Sequence, residues 1–443
     1  MKIDILVIGS GTSGYTVANG LKKEGKTVAV ADRRSFGGTC AKRGCQPKKY
    51  LVANAEIVHL AKGLEGKGLK KAPSVAWKDL MSLKREFTDK VSFNTEEGFK
   101  TAGIDVLHGD VYFTSPQSVI VGDLPVSADK IVLAVGTIPT PLTIPGGDFT
   151  VDSEYFLDMD KMPRKIIFIG GGYISFELAS VAHQAGAETI ILHRSVQPLK
   201  HFDPDLTRIL VKTMKEEGLN LYTEHPVKKI EKSNSGFKVI AGVDEYFADL
   251  VVNATGRTPD LNSLNLDVGN IKFGAKGIDV NDYLQSSSNP NVFAVGDCVA
   301  SGPDLATVAD MQAEIVVQNI LNKDSVIPDY SNIPSAVFSL PAMASVGISE
   351  EEAIQKKLDF RVKMIDQSNW PSSKRIGQKA AVSKVIIEEK TEQILGVHIL
   401  GHNAAEVINT FALAIKFGHT TEELRTVLWA YPTHTSDMKY SFK

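Results

Sequence analysis

The sequence predicts an α/β protein with two tandem Rossmann-like dinucleotide-binding domains and an α+β C-terminal domain. Three observations predict this fold. A strand, a glycine-rich turn, a helix and a second strand follow one another at the N-terminus, and the same order recurs from residue 165. From about residue 328 the chain changes to short strands and helices with no glycine fingerprint. A length of 443 residues allows two to four domains.

The composition is that of a globular protein, with 43% apolar and 23% charged residues. A net charge of −3 gives no reason to expect a nucleic-acid or anionic-membrane partner. No apolar run reaches the roughly 18–20 residues that span a bilayer. The short apolar run after Lys2 leads into a glycine turn instead of a cleavage site, so it predicts a strand, and we expect a cytoplasmic protein.

The first dinucleotide-binding unit begins with an apolar strand over residues 3–8, which Gly9-x-Gly11-x-x-Gly14 follows. A helix then extends to about Lys23, and a second apolar run ends at Asp32. The glycines permit a tight turn and let the backbone approach a pyrophosphate, to which the helix N-terminus offers N–H groups. Asp32 is expected to accept a hydrogen bond from a ribose hydroxyl.

The region between the two units has less specific signals. Residues 50–100 are rich in Lys, Glu and Ala and predict two helices, broken near Pro73, on a solvated face of the first domain. Residues 104–140 predict short strands. Three prolines between residues 139 and 145 predict a linker.

The second unit has a strand at residues 165–169, then Gly170-Gly171-Gly172 and a helix to about Ala185. At the position that corresponds to Asp32 stands His193, and Arg194 and Lys200 follow. A carboxylate there would accept from a free 2′-hydroxyl, whereas cations suit a 2′-phosphate. The second site is therefore predicted to prefer NADPH over NADH.

After Gly256 and Arg257 the chain is expected to return to the first domain. Residues 292–295 predict a strand that ends at Gly296-Asp297, and a helix is predicted through residues 305–321. The predicted domains are residues 1–149 and 150–257 for the two dinucleotide-binding domains, 258–327 for the return segment and 328–443 for the C-terminal domain.

Two of the three cysteines, Cys40 and Cys45, lie just after the first unit with four residues between them. Pro47 suits a first helical turn, and the lysines that follow it favour a thiolate. No histidine and no second cysteine pair lies in this segment, so a redox-active disulfide is predicted and no metal site.

The segment Gly37-Gly38-Thr39-Cys40-x4-Cys45-x-Pro47-Lys48, together with the tandem glycine turns and Gly296-Asp297, resembles one family closely. This is the class I pyridine nucleotide-disulfide oxidoreductase family of glutathione reductase, dihydrolipoamide dehydrogenase and mercuric reductase. The resemblance implies FAD in the first domain, NADPH in the second and a C-terminal dimerisation domain. It also implies a homodimer in which the C-terminal end of one subunit completes the active site of the other.

The resemblance also implies residue roles. Cys45 matches the thiolate against the flavin, Cys40 the thiol that attacks substrate, and Glu177 the carboxylate partner of Lys48. The residues that match FAD contacts are Gly9, Gly11, Thr12, Ser13, Gly14, Asp32, Gly38, Thr39, Cys40, Lys48, Val111, Gly136, Gly296, Asp297, Leu305 and Ala306. The residues that match NADPH contacts are Gly170, Gly172, Tyr173 (an aromatic gate), Ile174, Glu177, His193, Arg194, Lys200, Gly256 and Arg257.

The chain departs from the family at its C-terminal end. Glutathione and lipoamide reductases carry a His and a Glu there as a proton relay. Here Tyr431 and Ser436 occupy those places, and His434 follows three residues after Tyr431. Tyr431 could donate a proton or bind a ligand, and His434 either acts in its place or only packs.

The expected function is an NADPH-dependent, FAD-containing reductase that passes electrons through Cys40 and Cys45 to a small or protein disulfide. Glutathione is not the expected substrate, because Asn19, Gly20 and Glu314 stand where glutathione reductases place arginines. Two alternatives stay open. The first is a mercuric-reductase-like reductase of metal ions or electrophiles, although the extra C-terminal cysteine pair of those enzymes is missing. The second is a flavin-bound redox switch.

Overall fold

The computed structural model describes residues 1–233, 236–323 and 325–442. Within these ranges no helix combines the length and the apolar character that a membrane crossing needs.

The strands of the described chain belong to six sheets. In chain order they are β1 (Lys2–Ile8), β2 (Val28–Asp32), β3 (Asp105–His108), β4 (Val111–Ser115), β5 (Ser118–Val121), β6 (Leu124–Leu133), β7 (Thr137–Pro139), β8 (Lys165–Ile169), β9 (Glu188–Leu192), β10 (Asn220–Tyr222), β11 (Val227–Ser233), β12 (Gly236–Ala241), β13 (Asp244–Ala248), β14 (Leu250–Asn253), β15 (Arg257–Pro259), β16 (Phe273–Gly274), β17 (Gly277–Ile278), β18 (Val292–Ala294), β19 (Ser335–Val337), β20 (Met343–Gly347), β21 (Phe360–Asp366), β22 (Val382–Glu388) and β23 (Ile394–Leu400).

The α-helices are, in chain order, α1 (Thr12–Lys23), α2 (Gly38–Arg43), α3 (Cys45–Gly63), α4 (Trp77–Thr101), α5 (Ser153–Asp158), α6 (Tyr173–Gln184), α7 (Pro204–Glu216), α8 (Ala306–Asn322), α9 (Glu350–Gln355), α10 (Pro371–Lys374), α11 (Ala404–Lys416), α12 (Thr421–Thr426) and α13 (His434–Asp437). Short 3₁₀ helices cover Gly147–Phe149, Gly296–Cys298 and Met438–Phe442.

One compact unit comprises residues 1–49, 82–140 and 256–330. Its main sheet has the order β3-β2-β1-β6-β5-β4, and β18 also pairs with β6. Strands β1, β2, β3, β6 and β18 pair in parallel, and β1 and β2 are buried along most of their length. Because β18 joins β6, the chain returns to the first sheet after residue 256.

The other compact unit comprises residues 50–81, 141–255 and 331–443. It contains a parallel sheet in the order β10-β9-β8-β14 and an antiparallel sheet of β11, β12 and β13. A third sheet, in the order β19-β20-β23-β22-β21, is antiparallel, and α11 packs against β20 and β23. The predicted fold class, two tandem Rossmann-like units and an α+β C-terminal region, is therefore confirmed. The bounds of the four predicted segments stay predictions.

The two helices predicted between residues 50 and 100 exist as α3 and α4, but a purely solvated role is wrong for part of them. Trp77 at the start of α4 is buried, and its Nε1 donates to the carbonyl oxygen of Met159 at 3.0 Å. Residues of both helices contribute to the apolar core of the second unit, namely Leu51, Val52, Ala55, Trp77, Leu80 and Met81. The lysine-rich and glutamate-rich composition concealed this apolar stripe.

Candidate active site

The first glycine turn brings two backbone segments into contact. Gly9 has φ +110°, and a Cβ there would lie 2.2 Å from the carbonyl oxygen of Ala134. Gly38 has φ +66°, and a Cβ there would lie 2.3 Å from the Cα of Gly11. A side chain at either position is excluded both by space and by backbone conformation. The turn between β1 and α1 therefore presents bare backbone to a ligand.

The N-terminus of α1 has Gly11 as its N-cap, and in the described chain no side chain caps it. The first-turn residues Thr12, Ser13 and Gly14 are predicted FAD contacts. Uncapped amides with the positive end of the helix dipole suit a pyrophosphate. The turn thus fits the diphosphate of a dinucleotide.

Asp32 lies at the end of β2, where the glycine turn holds its carboxylate in place. One oxygen, Oδ2, accepts from the backbone N–H of Ser10 at 2.9 Å and from its hydroxyl at 2.6 Å. The other, Oδ1, accepts from the N–H of Arg34 at 2.8 Å. Each carboxylate oxygen has more than one lone-pair direction, so these bonds orient Asp32 and still allow it to accept a ribose hydroxyl. The sequence analysis missed Ser10, although a hydroxyl between the two glycines was the available signal.

The structure brings all sixteen predicted FAD residues into the first unit. Gly136, which follows β6, has φ +63°. Leu305 is the N-cap of α8, and within the described residues that end also has no side-chain cap. Val111 is buried at the start of β4, so only its backbone could face a cofactor. Together with the glycine turn, these features fit an FAD site.

Asp297 lies in the short helix Gly296–Cys298. Burial raises its pKa, the negative charge of Asp304 raises it further, and the positive charge of Arg257 lowers it. The Arg257 guanidinium is fixed by donation to the Thr137 hydroxyl at 2.9 Å and to its carbonyl oxygen at 2.7 Å. Arg257, a predicted NADPH contact, therefore lies in the first unit beside two FAD-side carboxylates, and the sequence analysis missed Asp304.

The two cysteines of the predicted redox pair lie on consecutive helices. Cys40 is on α2 and is partly buried, and Cys45 is the first residue of α3 and is exposed. Neither sulfur is joined in a disulfide, and the two side chains hydrogen-bond to each other. The position of Cys45 at the start of a helix favours a thiolate there, because the helix dipole is positive at that end.

The surroundings of Cys40 shift the pKa of its thiol. The hydrogen bond with Cys45 raises the pKa of the Cys40 thiol, and burial and the charge of Cys45 raise it further. A hydrogen bond from Thr12 and the charge of Lys48 lower it, but they do not reverse the direction. Cys40 thus retains its proton longer than an isolated thiol would. The third cysteine, Cys298, is fully buried, and burial raises its pKa to about 11, which fits a packing role.

The second unit has a glycine turn with the same geometry as the first. Gly170 has φ +119°, and a Cβ there would lie 2.3 Å from the carbonyl oxygen of Ala254. Gly172 is the N-cap of α6, and no described side chain caps that end. Tyr173 and Ile174 begin the helix, and Tyr173 is half exposed. The turn fits the diphosphate of a second dinucleotide.

The loop after β9 folds back on this turn. The N–H of Leu199 donates to the carbonyl oxygen of Gly171 at 2.8 Å, and a Cβ on Gly171 would lie 2.5 Å from Cγ of His193. Burial lowers the pKa of His193, and the charge of Arg194 lowers it further. Arg194 and Lys200 are exposed on this loop, so their cationic groups are available to a ligand.

Glu177 lies on α6 and its side chain is buried. One of its carboxylate oxygens accepts from the backbone N–H of Phe338 at 2.9 Å. Lys48 belongs to the first unit and Glu177 to the second, and their pairing stays a prediction.

The two predicted acid–base candidates at the C-terminal end differ in their exposure to solvent. Tyr431 is 77% exposed, and the Lys439 Nζ lies 5.9 Å from the centre of its ring. His434 is half-buried and begins α13, which Thr433 caps. Ser436, in the place of the family's glutamate, is buried, and its hydroxyl donates to the carbonyl oxygen of Thr433 at 2.7 Å. Ser436 therefore has a structural role as a capping residue.

Comparison with known proteins gives consistent matches. Residues 3–313 match the family model for pyridine nucleotide-disulphide oxidoreductase, and residues 333–441 match its dimerisation domain. Mercuric reductase from Staphylococcus aureus is 31% identical over 98% of this chain and 81% of its own length. Glutathione reductase from Burkholderia cepacia is 30% identical over 97% of this chain and 96% of its own.

A solved structure agrees with these relatives. The Cu(II) complex of the HOCl-induced flavoprotein disulfide reductase RclA from Escherichia coli superposes with a TM-score of 0.91 at 25% identity, covering 100% of this chain and 99% of that one. The match to the dimerisation domain supports a homodimer. The chain therefore belongs to the pyridine nucleotide-disulphide oxidoreductase family and is a flavoprotein that uses FAD and a nicotinamide nucleotide to reduce a disulfide or a related acceptor.

Proposed function

We propose that this protein takes electrons from NADPH and delivers them through Cys40 and Cys45 to a disulfide other than glutathione. The hydrogen-bonded thiol pair at the junction of α2 and α3 is the observation that supports this most directly. Cys45 has the helix N-terminus to stabilise a thiolate, and Cys40 has its pKa raised by that neighbour. This difference supports the ordered roles in which Cys45 faces the flavin and Cys40 faces the substrate.

The chemistry at the dithiol is thiol–disulfide exchange. The Cys40 thiol gives up its proton as its sulfur attacks one sulfur of the substrate disulfide, and the first substrate sulfur leaves as a thiolate that takes up a proton. Cys45 then attacks Cys40, releases the second substrate thiolate and closes the Cys40–Cys45 disulfide. When bound, FAD supplies the route for the two electrons that reopen this disulfide. Lys48 contributes a positive charge that lowers the pKa of Cys40.

The preference for NADPH rests on the loop after β9. His193 stands where a carboxylate would accept a ribose 2′-hydroxyl, and the exposed Arg194 and Lys200 that follow it are cations, which suit a 2′-phosphate. The ratio of kcat/KM for NADPH to that for NADH tests this proposal. We expect a clear preference for NADPH that Arg194→Ala reduces by at least about tenfold, because a charge-assisted phosphate contact contributes 1.5 kcal/mol or more. A preference for NADH in the unaltered protein would refute the assignment.

A second candidate function is the reduction of a metal ion by the same dithiol. Two observations favour it: mercuric reductase is among the most similar relatives, and the solved RclA structure is a Cu(II) complex. The exposed Cys45 thiol and the neighbouring Cys40 thiol would be the first ligands to meet a soft metal ion. A passive flavin-bound redox switch is less well supported, since the second glycine turn is also complete.

The shared active site is also a proposal. Within residues 333–441 several apolar or aromatic side chains are strongly exposed in the single chain, namely Leu413 (61%), Phe417 (71%), Leu428 (98%) and Tyr431 (77%). Exposed apolar groups of this kind mark contact surfaces. Their position supports a dimer in which the segment around Tyr431 and His434 approaches the partner's dithiol. We also propose that the dimer works in the cytoplasm, where a disulfide reductase keeps thiols reduced.

One experiment tests the function and separates the candidates. The purified protein is reduced anaerobically with NADPH, and the return of oxidised-flavin absorbance is followed after addition of glutathione disulfide, other small disulfides, an oxidised protein, Hg(II) or Cu(II). We expect fast reoxidation by a non-glutathione disulfide and loss of it in Cys40→Ser. Fast reoxidation by a metal ion alone would select the second candidate. Failure of NADPH to reduce the flavin would refute both.

A further inference from the structure

The C-terminal His434 is in contact with a second histidine that a carboxylate holds. The ring of His402 lies 5.6 Å from the ring of His434, centre to centre, in an edge-to-face arrangement at 69°. His402 Nδ1 lies 2.9 Å from Oε1 of Glu56 on α3. These three residues lie in the second unit, and α3 is the helix that begins with Cys45.

His402 is held in a defined orientation. Its backbone N–H donates to Oε1 of Gln378 at 3.1 Å, and its ring is only 22% exposed. The hydrogen bond to Glu56 fixes which way the ring faces. A carboxylate that orients a histidine in this way also fixes its tautomer.

The surroundings of His434 bear on its ability to exchange a proton. Burial lowers its pKa, the charges of His402 and Arg375 lower it further, and Asp437 raises it. Arg375 also donates to the carbonyl oxygen of Pro432 at 3.3 Å, which ties down the chain just before α13. Glu56 acts on His434 through His402. These are the charged groups that face His434 from α3, from the loop after β23, from the end of α10 and from α13 itself.

We propose that Glu56 and His402 are positioning residues for His434, and that the three form the acid–base device of the oxidative half-reaction. This inference rests on the proposed function. Tyr431 and Ser436 stand in the places of the family's relay histidine and glutamate, and the Ser436 hydroxyl is engaged in the helix cap. The Glu56–His402 pair provides the carboxylate–histidine arrangement from another part of the chain.

The proton balance is simple. When Cys40 attacks the substrate disulfide, neutral His434 takes the proton of the Cys40 thiol and gives it to the first leaving sulfur, which departs as a thiolate. His434 is neutral again after the transfer, and the positive charge of His402 helps it to release the proton. Electrons move only between sulfurs, so no further reactant is needed.

Stopped-flow measurement of the two half-reactions tests this inference. In Glu56→Gln and His402→Asn we expect reoxidation of the NADPH-reduced protein by disulfide to slow by about tenfold or more, while reduction by NADPH is unchanged. In His402→Asn the pH at which reoxidation falls off moves upward, because a neighbouring positive charge has been removed. Since the pair acts as one device, the double variant should be no slower than His402→Asn alone.

The exposed pair of His419 and Glu423 provides a matched control. His419 forms a similar pair with Glu423, 3.3 Å apart but exposed, so His419→Asn should leave rates and pH profile unchanged. An unchanged pH profile in both Glu56→Gln and His402→Asn would overturn the inference, as would equal losses in the two half-reactions. Failure of the unaltered protein to be reoxidised by any disulfide would instead overturn the proposed function.

Discussion

Removal of Lys384 should destabilise the second unit strongly. Lys384 lies on β22 with a side chain only 2% exposed. Its Nζ contacts Asp203 at 2.8 Å, Asp205 at 2.9 Å and Glu350 at 2.7 Å. Burial alone would lower its pKa, but the hydrogen bonds with these carboxylates outweigh burial and raise it. The lysine is therefore a buried cation that joins the starts of α7 and α9 to the C-terminal sheet.

The expected loss of unfolding free energy depends on which carboxylate loses its cation. Asp203 has a fully buried side chain, so Lys384→Met leaves a buried carboxylate without its cation. Breaking a buried ion pair from one side costs about 3–5 kcal/mol. Asp205 and Glu350 are each 36% exposed, so solvent compensates most of their loss. For a unit of this size, the expected fall in Tm is about 5–10 °C.

Calorimetry or circular dichroism melting measures this change. Asp203 also caps α7, because its Oδ1 accepts from the N–H groups of Asp205 and Leu206. Asn keeps that cap without the charge, so Lys384→Met/Asp203→Asn should recover part of the lost stability. The control is Lys238→Met, since Lys238 also contacts two glutamates, Glu231 and Glu245, but at the surface. Unchanged melting of Lys384→Met, or a double variant that melts below Lys384→Met, would refute the reasoning.

Two further predictions concern the cofactor and pH. Gly38→Ala should reduce the FAD content of the purified protein, because a Cβ would clash with the Gly11 backbone; Gly25→Ala, where nothing lies within 4 Å, should not. The flavin-to-protein absorbance ratio checks both. His398 is buried, and burial lowers its pKa in the folded state. Below about pH 6.5 the unfolded state therefore binds more protons than the folded state. The free energy of unfolding falls as the pH drops from there through the folded-state pKa. The denaturant midpoint should therefore fall less between pH 7 and 5 in His398→Gln than in the unaltered protein. An equal fall of the midpoint in both proteins would contradict this prediction.

Features that depend on neighbouring residues of the chain could be predicted from the sequence. The turns at Gly9–Gly14 and Gly170–Gly172 need bare backbone between a strand and a helix, so both elements and their order could be predicted. The cysteine pair was predictable for the same reason, because its spacing and its lysine lie within one short segment.

Contacts between distant parts of the chain were not predictable. His402 meets Glu56 across 346 positions, and Lys384 meets Asp205 across 179, with no periodicity that marks either pair. The apolar stripe of residues 51–81 was missed because charged residues dominate its composition. The position of Ser10 against Asp32 depends on the three-dimensional turn, although the two residues are only 22 positions apart.

Electrons from NADPH are expected to reach the Cys40–Cys45 pair. Alkylation of the denatured protein before and after anaerobic NADPH treatment, read by mass spectrometry, tests it most directly. We expect the oxidised protein to be alkylated at Cys298 alone, and NADPH to add two alkylations, at Cys40 and Cys45. Reduction of the flavin with no change in the number of alkylated cysteines would show that the electrons do not reach this pair.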